Sequence, residues 1–430
     1  MVNIPHWPKV PLWNAEPRQD LSSTLAILKE LGDPQNQLPP TIHVAGTNGK
    51  GSTVAMLKSI FMQAGYKVHS YTSPHILEFN ERIQLNNEPI TDSHLHENLE
   101  RVKEASDKLG LNPGFFEGTT IAAFLAFAET KADILLLETG LGGRIDPTNV
   151  ITNPILTIIT PISYDHMEYL GNDILHIAFE KAGIIKKNVP CVVGPQIDEV
   201  YNLLFNKCDE MEAPSFSYEY DFYAQKSDNR LHYQSQKIHL DLPTPALIGD
   251  HQIQNASSVV AAIMLLNDKF QITLEQIKNG LTSVNWPGRL QLVSDHKTKE
   301  LVGDNIKIYL DGAHNNDGAK ALGHWIENNA HGNVYLILGM TRNRNVLDFC
   351  THLADFITEG IAVNVKSEPS SYSAQTLANH ANEYKKLFTK ADYIDDAIQH
   401  IKSINNNKPA TIIVTGSLFL VADFLKMEPK

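Results

Sequence analysis

The sequence predicts an α/β protein of two domains, each built on a mostly parallel sheet, and three observations carry that prediction. Short apolar runs at residues 41–44, 132–137, 155–159 and 191–193 are separated by stretches of helical periodicity. They are too uniformly apolar to leave one face in water, as strands buried on both faces of a parallel sheet are. A second set of such runs occupies residues 307–310, 334–338, 360–365 and 410–414, again with helical stretches between. The chain's 430 residues exceed one ordinary core, and Trp286-Pro287-Gly288-Arg289 breaks regular structure between the two sets. A hinge is expected over residues 285–292. No internal repeat or low-complexity segment is visible.

Residues 1–20 carry Trp7 and Trp13 among prolines and charges and lack an apolar core of signal-peptide length. No apolar run approaches the roughly 20 residues that a membrane helix needs. A cytoplasmic chain without a membrane partner is expected. The formal charge of −13 argues against nucleic acid as the main partner and leaves room for a small anionic ligand in a local basic pocket. Cys191, Cys208 and Cys350 are scattered, have no metal-ligand spacing, and read as core or surface thiols.

The first strand, residues 41–44, runs into His43-Val-Ala-Gly-Thr-Asn-Gly-Lys-Gly-Ser-Thr53, which reads as a phosphate cradle. Gly46, Gly49 and Gly51 allow tight turns that expose N–H groups, Lys50 supplies a compact cation, and Ser52 or Thr53 offers a hydroxyl to a metal. A helix over 54–64 then points its positive end at the phosphates. The usual pattern has a glycine five residues before the Gly-Lys pair and a hydroxyl directly after it; neither holds, so the loop is a variant, and a plain Gly-rich turn stands as the alternative.

The next elements place polar groups at strand ends, where open parallel sheets bind ligands. In Tyr71-Thr-Ser-Pro-His-Ile, Ser73 is either a loop serine or a metal-facing hydroxyl. After a helix over 119–129, the strand 132–137 ends at Glu138, a carboxylate that is costly beside an apolar core unless paired or bound to a cation. The loop Gly140-Leu-Gly-Gly-Arg-Ile-Asp follows, whose Arg144 and Asp146 contact a substrate or each other. The strand 155–159 leads to Asp165, His166 and Glu168, with His166 either structural or a ligand. Lys181, inside a helical run over 174–185, reads as a solvated face. Residues 215–242 alternate as in an antiparallel hairpin, and helical pattern returns over 251–266. In the second domain, Asp311-Gly-Ala-His-Asn ends a strand with two ionisable groups, as a capped turn or as a site.

Taken together, these segments resemble the folylpolyglutamate synthase and dihydrofolate synthase family, relatives of the Mur peptide ligases. The signposts are His43 to Thr53, Thr72 to Ile76, Phe115-Phe-Glu-Gly-Thr-Thr, Leu137 to Asn149, Ile159 to Gly171, Glu180 to Lys186, His251 to Ala256, Trp286 to Leu290, Asp311 to Asn315 and Thr415 to Leu418. The resemblance implies a P-loop-containing, mostly parallel-sheet ATPase domain over 1–288 and a smaller Rossmann-like α/β glutamate-ligase domain over 289–430. It also implies an ATP-dependent amide ligase that joins L-glutamate to dihydropteroate and to reduced folates such as tetrahydrofolate through an acyl phosphate, releasing ADP and phosphate.

By the same resemblance, Gly46, Thr47, Asn48, Gly49, Lys50, Gly51, Ser52 and Thr53 hold ATP, with Asn255 on the adenine side and Arg289 and Asp311 contributing from the hinge and second domain. Two Mg2+ ions are implied, with Ser52, Ser73 and Glu138 toward one and His166 on the other. The lysine matching Lys181 is carbamylated in this family, which makes it an extra carboxylate near the second metal. Arg144, Asp146, Phe116 and Thr119 fall on the pterin side, and Asp311, His314 and Ser417 on the glutamate side, with the second domain expected to close over the first. A monomer is the default.

Two features depart from the family pattern: Asn316 replaces a proline, and the stretch Arg342-Asn343-Arg344-Asn345 replaces an Asp-Lys-Asp stretch. A Mur-type peptidoglycan ligase is the nearest rival; the 42 residues before His43 are too few for its nucleotide-sugar domain, which at a usual globular size needs roughly 100. A non-catalytic nucleotide-binding regulator is the rival from another class.

Overall fold

The computed structural model describes residues 20–294, 296 and 301–427; Trp7 and Trp13 lie outside them. The chain forms two compact units. One takes the chain up to Ala246 and then Gln252–Val284; the other takes Leu247–His251 and the chain from Asn285 onward. The boundary expected at 288/289 thus moves forward by four residues, so Trp286, Pro287 and Gly288 belong to the second unit. Residues 247–251 also join that unit, which no break in periodicity signalled.

The first unit is built on β1 (Thr41–Ala45), β2 (Val68–Tyr71), β3 (Ile83–Leu85), β4 (Glu88–Pro89), β5 (Ile134–Glu138), β6 (Leu156–Ile159), β7 (Cys191–Val193) and β8 (Ser215–Ser217). Their order is β4-β3-β2-β5-β1-β6-β7-β8. From β2 to β8 every pairing is parallel, and only β3 and β4 run antiparallel. Strands β1, β5, β6 and β7 are buried along their whole length, which is why they read as continuous apolar runs rather than alternating ones. The helix expected over 119–129 begins earlier, at Phe115, where the Glu117 carboxylate accepts from the Gly114 N–H (3.1 Å) and caps the first turn. The helix after the phosphate loop also starts earlier, spanning Lys50–Gln63, so Lys50 to Thr53 form its first turn.

The expected hairpin over 215–242 is more elaborate. Residues 215–217 extend the main sheet as β8, and β9 (Phe222–Ser227), β10 (Arg230–Ser235) and β11 (His239–Pro243) form a separate three-stranded antiparallel sheet. Asp228 and Asn229 join β9 to β10 with φ of 48° and 56°, the left-handed pair that a two-residue hairpin turn requires.

The second unit has β12 (Gln291–Val293), β13 (Ile306–Leu310), β14 (Asn333–Leu338), β15 (Glu359–Ala362), β16 (Phe388–Lys390) and β17 (Ala410–Thr415) in the order β12-β13-β17-β14-β15-β16. All pairings but β12–β13 are parallel. Leu322, Ile326, Phe349 and Leu377 of its helices share a core cluster with Leu336, Leu338 and Ile413 of the sheet. All three cysteines are buried, and Cys191 and Cys208 pack in one core cluster. Among the described residues no helix is long and apolar enough to cross a membrane.

The phosphate-loop helix is held from outside by the helix Leu274–Ser283. Gly280 lies so close that an added Cβ would sit 2.6 Å from the Cα of Ile60, and Ser59 Oγ donates to the Gly280 carbonyl at 2.8 Å. Backbone cannot yield as a side chain can, so Gly280→Ala is expected to destabilise the first unit by about 1–3 kcal/mol. Calorimetry would show this as a lowered melting transition for that unit; an unchanged transition would mean that the helix pair separates freely.

Candidate active site

The strand order brings the expected site residues to one edge. β2, β5, β1 and β6 are adjacent and parallel, so the segments bearing Ser73, Glu138, the phosphate loop and His166 all leave the sheet at its carboxyl side. Glu138 pairs in register with Val44, one residue before the end of β1.

Between β1 and the helix, the loop is clamped to the segment after β6. The N–H groups of Thr47 and Asn48 both donate to the Pro161 carbonyl (2.9 and 3.2 Å). Thr47 Oγ1 donates to the Ser163 carbonyl (3.0 Å) and accepts from the Ser163 N–H (3.1 Å), while Asn48 Nδ2 donates to Ser163 Oγ (3.2 Å). Thr47 and Asn48, expected among the ATP-holding residues, therefore spend these donors on fixing the loop. Those aimed out of the helix end are the N–H groups of Lys50, Gly51 and Ser52, which have no carbonyl a turn earlier to bond. Gly46 (φ +150°) and Gly49 (φ +89°) are required by space as well as by conformation. A Cβ on Gly46 would lie 1.9 Å from Thr160 Oγ1, and one on Gly49 would lie 2.6 Å from Asn255 Oδ1.

Two lysines converge on one carbonyl. Lys50 Nζ donates to the Gly46 oxygen at 3.1 Å, and Lys181 Nζ donates to the same oxygen at 2.8 Å. Lys181 is buried, not the solvated helix face that its sequence context predicts. Burial, and next the charge of Lys50, lower its ammonium pKa to about 7, against the opposing pull of Asp165 and Asp146.

Glu138 is 3% exposed at the end of β5. Ser73 follows β2 and is half-buried. His166 has a left-handed backbone (φ 50°) and caps the short helix Met167–Leu170, with its N–H donating to Asp165 Oδ1 at 2.8 Å. Among the described residues no three His, Cys, Asp or Glu side chains converge into a cage. Glu138 with the Ser52 and Ser73 hydroxyls is an oxygen donor set of the kind that suits Mg2+, which takes one or two carboxylates and fills its remaining positions with phosphate oxygens and water. The Thr53 hydroxyl, buried at the cradle without a hydrogen-bond partner, and the glycine-lined loop fit a metal–nucleotide ligand.

On the expected pterin side the structure shows what several of the side chains contact. Asp146 does not pair with Arg144, nor does it present its carboxylate outward. Oδ2 accepts from the N–H groups of Gly140 (3.0 Å) and Leu141 (2.9 Å), and Oδ1 accepts from the Thr148 N–H (3.0 Å) and hydroxyl. Four donors fill the acceptor sites of a carboxylate, so Asp146 shapes the glycine loop from within. Arg144 instead pairs with Glu180, by Nε at 3.0 Å and Nη2 at 2.9 Å, and lies over the Phe179 ring. Thr119 is fully buried and bonds back to the Phe115 and Phe116 carbonyls, a helix-internal use of its hydroxyl. Phe116 packs so closely on Gly140 that a Cβ there would meet its ring at 2.4 Å.

Asn255, expected beside adenine, lies against the phosphate loop, and its Nδ2 donates to Gln252 Oε1 (3.0 Å). Gln252 and His43 are polar residues at this edge that went unassigned in the sequence. Gln252 was legible only as the i−3 neighbour of Asn255 on one helix face.

In the second unit, Asp311, His314 and Ser417 gather where β13 and β17 end. The Asp311 carboxylate accepts from the Leu290 and Ala313 N–H groups (both 2.9 Å); burial raises its pKa, against the opposing effects of those bonds and of Arg289 and His251. Ser417 Oγ accepts from the Leu420 N–H (3.1 Å) and caps the helix Leu418–Leu425. His314 Nδ1 meets the Gly312 carbonyl at 2.8 Å, and the Arg289 guanidinium packs against Gly312. Asp311 and Ser417 thus build the loops on which His314 and Arg289 sit. Of the unusual Arg342-Asn345 loop, Arg342 Nε donates to the Ser371 carbonyl (3.1 Å) and Asn345 caps the helix Val346–Thr351.

Residues 44–263 match the family model of the Mur ligase middle domain, and residues 293–427 match that of the dihydrofolate synthetase C-terminal domain. The chain is 35% identical to the dihydrofolate synthase/folylpolyglutamate synthase of Bacillus subtilis, over 93% of each chain. The chain belongs to the dihydrofolate synthase/folylpolyglutamate synthase family. Among solved structures, E. coli FolC in complex with DHPP and ADP superposes with a TM-score of 0.84 at 27% identity, covering 95% of this chain and 92% of that one. A bifunctional folylpolyglutamate synthase/dihydrofolate synthase with Mn, AMPPNP and L-glutamate bound superposes at 0.83 and 26%, covering 96% and 94%. Membership in this ligase family, over nearly the whole length, sets aside the peptidoglycan ligase and the non-catalytic regulator.

His43, fully buried in β1, sets a measurable property of this family member. Its Nε2 lies 2.9 Å from Thr148 Oγ1, which donates onward to Asp146, so the ring carries its proton on Nε2 and is neutral. Burial, and then Lys186, depress its pKa to about 3. The unfolded chain binds this proton near pH 6.5 and the folded chain only near 3, so stability falls as pH drops through that window. His43→Gln is expected to flatten the decline in stability between pH 6.5 and 4, measured by denaturant titration. An identical slope in the variant would show that the buried ring is charged.

Proposed function

We propose that the protein is a bifunctional ligase that joins L-glutamate first to dihydropteroate and then to reduced folates such as tetrahydrofolate. ATP converts the acceptor carboxylate to an acyl phosphate, the amine of glutamate attacks it, and the amide, ADP and phosphate result. The observation that carries this reading is the convergence of Lys50 and Lys181 at the Gly46 carbonyl, at the sheet edge that also bears Glu138. Such an arrangement supplies charge and fixed amide dipoles, which phosphoryl transfer needs more than covalent help.

The geometry supports the following roles. The first-turn amides of Lys50, Gly51 and Ser52, with the Lys50 ammonium, neutralise the nucleotide phosphates. Ser52, Ser73 and Glu138 hold one Mg2+, and His166 holds a second with Lys181 as its carbamate; when bound, the ions screen phosphate charge. A lysine amine adds CO2 only when neutral, and burial of Lys181 with a pKa of about 7 makes that form available at neutral pH. Phe116 lines the pterin side, His314 and Arg289 receive glutamate and phosphate, and Asp146, Asp311 and Ser417 act by holding loops. The partners are small molecules, with neither nucleic acid nor membrane, and the protein works as a cytoplasmic monomer.

Two measurements test this. With ATP, Mg2+ and glutamate, both dihydropteroate and tetrahydrofolate should yield amide product and ADP. Turnover of one alone would assign a single activity, and of neither would sink the reading. In 13C-bicarbonate, the protein should show a carbamate resonance that fades as pH drops below about 7 and is missing from Lys181→Ala, with ligase activity reduced by orders of magnitude. A fully active Lys181→Ala enzyme would refute the carbamate.

A further inference from the structure

Gln252 is completely buried and 200 residues along the chain from Ser52, yet its Nε2 donates to Ser52 Oγ at 3.2 Å. Its Oε1 accepts from Asn255 Nδ2 at 3.0 Å. Asn255 in turn presses Oδ1 against Gly49, leaving no room for a side chain there. The chain Asn255, Gln252, Ser52 therefore runs along the inner side of the phosphate loop from one helix face. In the orientation the structure shows, Asn255 Nδ2 fills the carbonyl oxygen of Gln252, which leaves the Gln252 NH2 facing Ser52. Ser52 Oγ thus accepts a hydrogen bond from Gln252 and keeps its own proton and one lone pair for a ligand on its other side.

We infer that Gln252 is a positioning residue, locked by Asn255, that presets the Ser52 oxygen to ligate the nucleotide-bound divalent ion. This rests on the proposed role of Ser52 as a metal ligand. A hydroxyl rotor with no such partner must be ordered when the metal arrives, whereas one already engaged by a buried amide loses little further freedom; outer-shell partners of metal ligands typically contribute about ten- to a hundredfold in metal affinity.

The test uses the full chain and Mn2+, titrated by electron paramagnetic resonance in the presence of AMPPNP, with AMPPNP binding in EDTA measured separately. In Gln252→Met, which keeps length and loses the donor, Mn2+ affinity should drop about ten- to a hundredfold while metal-free nucleotide binding is unchanged. That second binding also shows that the variant is folded. Gln252→Leu, which removes donor and acceptor together without adding charge, should show the same metal-specific loss. Unchanged Mn2+ affinity in both variants, or equal losses with and without metal, would overturn the inference and leave Gln252 a core hydrogen bond. Ser52→Ala separates the premises: Mn2+ affinity intact in that variant removes Ser52 as a ligand, whereas a loss there without one in Gln252→Met removes only the positioning role.

Discussion

One carbonyl oxygen, that of Pro161, receives the amide protons of Thr47 and Asn48, and the geometry of the nucleotide edge depends on it. Were those protons turned outward, the loop would be a flexible glycine turn whose donors reorganise around each ligand. Held inward, they bring Gly46 against Thr160 and point its carbonyl at Lys50 and Lys181. The same tie carries the β6 loop, and with it Asp165 and His166, into register with β1. Preorganised dipoles do their electrostatic work without being rearranged at the moment of reaction, and here the preorganisation comes from a neighbouring strand's loop rather than from the cradle itself.

The alternation of apolar runs and helical stretches made both parallel sheets legible, because strands buried on two faces cannot hide their composition. Short edge elements were not legible: β12, β16 and β4 have two or three residues each and carry no periodicity. The three-stranded sheet looked like one hairpin because Asp228-Asn229 is a turn signal less conspicuous than a glycine pair.

At the site, residue type pointed to these loops but not to how their side chains are spent. Asp146, Thr119 and Asn255 look like ligand-binding groups by chemistry, yet the structure gives their polar atoms to backbone amides, helix carbonyls and Gln252. Lys181 erred in the opposite direction: a lysine on a helix reads as solvated, and only the packing of that helix beneath the phosphate loop buries it. Which polar atoms are already satisfied is a property of tertiary contact, invisible to spacing.

The cysteines have a practical consequence. All three are buried; burial raises the Cys350 thiol to about 12, Cys191 is raised by its contact with Cys208 and by burial, and Cys208, lowered by that same contact, is shielded with only 1% of its surface exposed. Alkylating reagents attack thiolates that they can reach, so the folded chain offers them little target. A fluorophore attached through a newly introduced surface cysteine would therefore label one chosen position, with no need to strip the native thiols first.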